Sequence, residues 1–149
     1  MTDNFDKIIF ISMDDTSTSP MAQAICRGLI ADETVEVISR GLIVHFSEPV
    51  NPKAIDILKN NNVKNIKESS EQFEVEELTD KSLVLAMSQK EKSLLAEDFG
   101  VDGDNVFILS EYVEEFGEIT DPYGENIVGY ERSYFELVRM VKKLVYKLC

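Results

Sequence analysis

The sequence predicts an α/β protein, a parallel sheet covered by helices on both faces, and two observations carry that prediction. Short β-branched, apolar runs alternate with helical patterns along the chain, the arrangement of successive right-handed βαβ units. The apolar runs are also nearly continuous rather than alternating with polar residues, as expected of strands buried on both sides. The first run, residues 8–12, reads as a buried strand. A polar stretch, 13–20, separates it from a helix over 21–30, with Ser19 before Pro20 as a hydroxyl cap and first-turn proline. Residues 35–39 form a second strand. A helix begins at Asn51-Pro52 and ends in the Asn60-Asn61-Asn62 cluster. Residues 75–78 fit a short helical turn, 83–87 a third strand, and 88–99 a helix stopped by Gly100. A fourth short strand spans 106–109, and residues 120–124 hold two strong turn formers, Pro122 and Gly124. The last element is a long amphipathic helix over 127–148, with Tyr130, Phe135, Leu137, Val138, Val141 and Leu144 as its apolar positions.

A length of 149 residues fits one domain, taken here as 1–149 without linker or repeat. The apolar runs are too short to span a membrane, and the acidic start Thr2-Asp3-Asn4 does not suit a signal peptide, so a cytoplasmic location is expected. Two cysteines, Cys26 and Cys149, lack metal-ligand spacing and argue against a zinc site or a disulfide framework. Fifteen basic residues face twenty-eight acidic ones, a net charge of −13, which disfavours nucleic acid and anionic membranes as partners.

In a parallel sheet, ligands bind beyond the carboxyl ends of the strands, where a loop feeds a helix N-terminus. Residues 13–19 occupy that place after the first strand. They read Met13-Asp14-Asp15-Thr16-Ser17-Thr18-Ser19, followed by Pro20-Met21-Ala22-Gln23-Ala24.

This stretch resembles the low-molecular-weight protein tyrosine phosphatases, whose loop reads Cys-x-Gly-Asn-x-Cys-Arg-Ser-Pro before a helix beginning Met-Ala-x-Ala. Asp121-Pro122-Tyr123 matches the family's late Asp-Pro-Tyr loop, and Ser39-x-Gly41, Asn51-Pro52-Lys53 and the stretch 83–88 match in order. The stretch 106–113 and Thr16 are similar to the branch that contains bacterial protein-arginine phosphatases. The resemblance implies a three-layer αβα fold, a four-stranded parallel sheet of order 2-1-3-4. It also implies a mechanism. A cysteine thiolate at the strand end attacks phosphorus, loop amides and an arginine hold the phosphate, and the late aspartate protonates the leaving group.

Set against that mechanism, the chain departs from the family at five loop positions. Ser12 stands at the nucleophile, Thr18 at the arginine, Asp14 and Asp15 at the glycine–asparagine pair, and Ser17 at the second cysteine. A neutral hydroxyl is a poor nucleophile without a base, and the motif brings no histidine beside it. Removing the guanidinium costs charge-assisted bonds of about 1.5–3 kcal/mol each. A carboxylate about 5 Å from a phosphate charge, at an effective dielectric near 20, repels it by roughly 3 kcal/mol per unit charge. The expectation is a natural pseudophosphatase, a binding or regulatory protein. The alternative is residual or metal-assisted hydrolysis through Ser12, Asp14, Asp15 and Asp121.

The remaining candidates each have two readings. Asp121 sits at the general-acid position, or serves as a turn residue before Pro122; Tyr123 lines a remnant pocket, or packs. Asp14, Asp15 and Asp121 would suit Mg²⁺ or Ca²⁺ if they converged; otherwise they are solvated, cap the helix or pair with a base, Arg40 being the candidate. Met13, Thr16, Ser17 and Ser19 complete the binding loop that the resemblance implies. His45 reads as structural or exposed, and Cys26 as buried and unreactive. No cofactor is expected. A protein partner is, with the chain itself a monomer or a weak homodimer.

Overall fold

A computed structural model describes residues 5–148. Four strands, β1 (Lys7–Ser12), β2 (Glu36–Gly41), β3 (Ser82–Ala86) and β4 (Val106–Ile108), form one parallel sheet in the order β2-β1-β3-β4. The central strands are apolar at every position over 8–11 and 83–86 because both faces are covered. Ile8 and Phe10 of β1, with Leu83 and Leu85 of β3, enter one core; Ile9, Ile11, Val84 and Ala86 enter the other.

On the first face lie α1 (Thr18–Leu29), α2 (Pro52–Asn60) and α5 (Ile127–Leu148). The second face is covered by α3 (Gln89–Phe99) and the single turn Val75–Glu77. Asn51 caps α2 by accepting the Lys53 amide at 2.9 Å. Gly100 ends α3 in a left-handed conformation (φ 68°) that a side chain would strain.

Three local expectations are corrected. Helix α1 starts at Thr18, earlier than the Ser19-Pro20 pattern suggests, because the Ser19 hydroxyl is drawn to Asp15 instead of capping. The fourth strand stops at Ile108, where a four-residue helix α4 (Leu109–Tyr112) takes over; Leu109 and Tyr112 then face the first core. In α5, Phe135 is exposed, whereas Ser133, Tyr134 and Met140 are buried with Tyr130 and Leu137. The buried stripe follows the 3.6-residue period, and Phe135 falls one residue off it.

No helix among the described residues is long and apolar enough to cross a membrane.

Candidate functional site

The chain leaves β1 at Ser12, crosses the top of the sheet, and enters α1 at Thr18. Strand order reverses here, since β1 lies between β2 and β3, and the crevice outside the strand ends opens at this point. The loop is tied to its neighbours by backbone bonds: the Leu42 and Ile43 amides donate to the carbonyls of Ser12 and Met13, and the Asn51 amide donates to that of Thr16. Gly41 is required for the fit. A Cβ there would lie 2.8 Å from the Asp14 carbonyl carbon and 3.0 Å from the Asp15 nitrogen.

Adjacent aspartates in this loop have opposite environments. Asp15 adopts φ 56°, a left-handed conformation that aspartate tolerates better than most residues, and its side chain is fully buried. One carboxylate oxygen accepts the Ser19 hydroxyl at 2.7 Å; the other accepts Lys67 Nζ at 2.6 Å and the Glu71 amide at 3.0 Å. Lys67 also donates to the Ser39 carbonyl and hydroxyl, and pairs with Glu71 at 2.9 Å. Ser19 in turn lies 2.6 Å from Ser12 Oγ, which accepts the Asp15 amide at 3.0 Å. The residue at the family's nucleophile position is therefore one end of a buried chain, Ser12–Ser19–Asp15–Lys67.

Asp14 is exposed and bends back on the loop, its Oδ1 accepting both the amide and the hydroxyl of Thr16. Ser17 lies under the loop, 3.1 Å from the Tyr130 hydroxyl. Burial pushes the Tyr130 phenol above its ordinary pKa; the Ser17 bond opposes the rise, and the carboxylates of Asp121 and Asp14 add to it. Both acids thus act on one side of the loop.

Beyond the loop is a cavity of about 40 Å³ lined by Ser12, Asp14, Thr18, Ser88, Glu91 and Asp121, among others. Among the described residues no basic side chain lines it. Glu91 is 7 % exposed and accepts a hydrogen bond from the Ser88 hydroxyl. Outside it lies a wider recess of about 600 Å³, which shares Met13, Asp14 and Asp121 and adds Ile43, Val44, His45, Phe46, Glu48, Ser70, Lys90 and Tyr123. Asp121 is exposed and accepts the Tyr123 amide at 3.0 Å, as a turn residue does; Tyr123 is 74 % exposed.

Two sequence expectations are corrected by this geometry. Arg40 does not reach the loop acids: it bonds Glu77 at 2.8 Å and Glu71 at 3.4 Å, and Lys67 takes the role of base to Asp15. The side chain of Arg40 leaves β2 toward the second face, where the Val75–Glu77 turn packs. Nor do Asp14, Asp15 and Asp121 converge, because Asp15 turns inward while the other two face the cavity; among the described residues no group of three or more His, Cys, Asp or Glu is placed to hold a metal. His45 is exposed on the recess wall. Cys26 is fully buried, and desolvation pushes its thiol up to about 12.

Sequence reasoning missed Lys67, Glu91 and the Tyr130 hydroxyl. Lys67 lies 52 residues from Asp15, and nothing in its surroundings marks it. Ser88-x-x-Glu91 does carry the pattern of a capping box, yet the side chains bond each other and Ser88 makes no side-chain cap.

A parallel four-stranded sheet in the order 2-1-3-4, with a strand–loop–helix cradle at its switch point, defines the class. The family model for low molecular weight phosphotyrosine protein phosphatases matches residues 7–149, and the chain belongs to that family. It is 32 % identical over 143 residues to the low molecular weight protein-tyrosine-phosphatase PtpB of Staphylococcus aureus, covering 96 % of this chain and 99 % of PtpB. Among solved structures, YwlE arginine phosphatase from Geobacillus stearothermophilus is 29 % identical with a TM-score of 0.87, over 95 % of this chain and 92 % of that one. A mutant YwlE arginine phosphatase with a phosphorylated active-site serine is 33 % identical, with a TM-score of 0.84 over 95 % of each chain.

Proposed function

We propose that this chain is a pseudophosphatase, a protein of phosphatase fold and descent that works by binding in the cytoplasm rather than by hydrolysis. The observation that carries this reading is the state of the loop amides. A phosphate cradle needs N–H groups aimed at the anion. Here the Asp15 and Thr16 amides are already bonded to Ser12 Oγ and Asp14 Oδ1. The cavity beside the loop has Asp14, Glu91 and Asp121 in its lining, with Thr18 where a guanidinium would stand. An incoming phosphoryl group would find those two amides engaged and would enter a negative field. Among the described residues no base bonds Ser12 directly; its neighbours are the Ser19 hydroxyl and the Asp15 amide. The function left to such a scaffold is contact with another protein, such as a phosphatase, a kinase or a shared target.

The test is turnover. Incubation with an aryl phosphate and with phosphoarginine, with and without Mg²⁺, is expected to release no phosphate above the uncatalysed rate. Turnover comparable to an ordinary family phosphatase would end this reading. Restoring the cradle with Ser12→Cys, Asp14→Gly, Asp15→Asn and Thr18→Arg is expected to return activity, although Asp15→Asn leaves Lys67 with only Glu71 as its charged partner.

One observation favours a second reading. The solved relative with a phosphorylated active-site serine is evidence that a serine in this fold can receive a phosphoryl group. On that reading Ser12 is phosphorylated and retains the group. Intact mass after incubation with phosphoarginine decides: a phosphate adduct on Ser12 supports it, and an unmodified chain removes it.

A further inference from the structure

We infer that the recess between the C-terminal end of α1, the turn after α2 and the middle of α5 binds a small monocarboxylate with an apolar body. The carboxylate is held by Lys64, Lys142 and the Tyr134 hydroxyl, and the body lies along Ile25, Leu29 and Val138. This recess stands apart from the phosphatase cradle, which lies at the other end of α1, roughly 16 Å of helix away. Its chemistry does not depend on whether the cradle hydrolyses anything.

Three observations converge on this occupant. The first is an unbonded hydroxyl. Tyr134 is 5 % exposed and lines the recess, and its hydroxyl makes no hydrogen bond among the described residues. A buried phenol ordinarily finds a partner for that group. The hydroxyl is not sealed off, so an acceptor can reach it from the recess. Burial raises the phenol above its ordinary pKa, which keeps it a donor at neutral pH. The second is local charge. The chain carries a net charge of −13, yet among the described residues no acid lines this recess, whereas Lys64 and Lys142 do. Both lysines are exposed, and neither ammonium makes an ion pair or hydrogen bond among the described residues. The backbone amides of Lys64 and Asn65 likewise donate to nothing there. The third is space. Gly28 sits in the last turn of α1, where a Cβ would meet nothing within 4 Å. Glycine weakens a helix relative to alanine, and this one keeps the floor of the recess open. About 450 Å³ is enclosed, in the usual range of small-ligand sites, against a partly apolar wall.

One negative charge suits the recess better than two. Helices α1 and α2 both end here, and each C-terminus contributes roughly half a negative charge. Against two lysines, that leaves about one positive charge. The field of the whole chain opposes every further negative charge, which favours a carboxylate over a phosphate dianion. Two carboxylate oxygens can accept from the tyrosine hydroxyl and an ammonium at once.

The experiment is a titration of the full-length ¹⁵N-labelled protein at neutral pH with octanoate. Separate titrations use octan-1-ol (the body without the charge), acetate (the charge without the body) and octyl phosphate. Octanoate is expected to move the amides of Gly28, Leu29, Val63, Asn65 and Val138 saturably. Octanol is expected to bind about tenfold more weakly or worse, the loss of a charge-assisted contact, and acetate should be weaker than octanoate as well. Octyl phosphate should bind no better than octanoate. The Lys64→Gln/Lys142→Gln variant should bind octanoate no better than octanol, and Tyr134→Phe should weaken octanoate about two- to tenfold. Gly28→Leu, which fills the floor, should abolish the shifts while its spectrum elsewhere stays unchanged. Octanol or acetate binding as tightly as octanoate, or tighter binding of octyl phosphate, would overturn the inference. So would full octanoate affinity in Tyr134→Phe or Gly28→Leu, shifts centred elsewhere, or no response to octanoate at all.

Discussion

Asp14 and Asp15 are neighbours in one loop and the same residue, yet one faces solvent and the other is sealed beneath the sheet end. Among the described residues Asp14 has no basic partner and its oxygen is bonded only to Thr16, so its charge faces the cavity. Asp15 is saturated: a lysine, a hydroxyl and an amide occupy it. The two acids divide the loop between support and surface charge. The inward acid, with Lys67, supports the loop from below, while the outward acid sets the sign of the pocket. Holding the architecture and reversing the charge are separable.

Breaking the support should produce the largest effect. Lys67→Met leaves Asp15 as an uncompensated buried charge, which costs about 3–5 kcal/mol; urea unfolding should show the midpoint falling accordingly, and Asp15→Asn in the same chain should recover part of the loss. If Lys67→Met were neutral, the pair would not be supporting the loop. Gly41→Ala comes next. Its Cβ would press on the backbone of Asp14 and Asp15, a strain of about 1–3 kcal/mol that the loop amides should report in an NMR spectrum. Tyr130→Phe removes the hydroxyl bonded to Ser17 and should cost about 0.5–1.5 kcal/mol by thermal or denaturant unfolding. Asp121→Asn, on the exposed side, should change stability by less than about 0.5 kcal/mol. A cost from Asp121→Asn as large as that from Lys67→Met would erase the distinction between supporting and outward-facing acids.

The fold was legible because it rests on local patterns. Residues 8–11 and 83–87 are apolar at every position, as suits a strand covered on both faces; Gly100 and Asn51 punctuate their helices by conformations and caps that those residues adopt with little cost. The Ser19-Pro20 pattern put the cap two residues late, at Ser19 instead of Ser17, because a hydroxyl bonds whichever acceptor the tertiary structure brings nearest, and here that is Asp15. The candidate site was half legible. Its residues were found from the loop sequence, but their partners were not. By its position in the chain Arg40 is the candidate base for the loop acids. Its side chain instead leaves the strand toward Glu77, and the base is Lys67, from a segment with no sequence mark at all.

By itself, then, the sequence determined the order of the four strands and the longer helices, and that serine and threonine stand at positions 12 and 18 of the loop after the first strand, since each of these is a property of residues close together along the chain. Tertiary structure alone decided which acid is buried, which base meets it, and that Glu91 joins Asp14 and Asp121 around one cavity. Charges act through space over several ångströms, and residues as far apart as Asp15 and Lys67 come within that range only when the chain has folded.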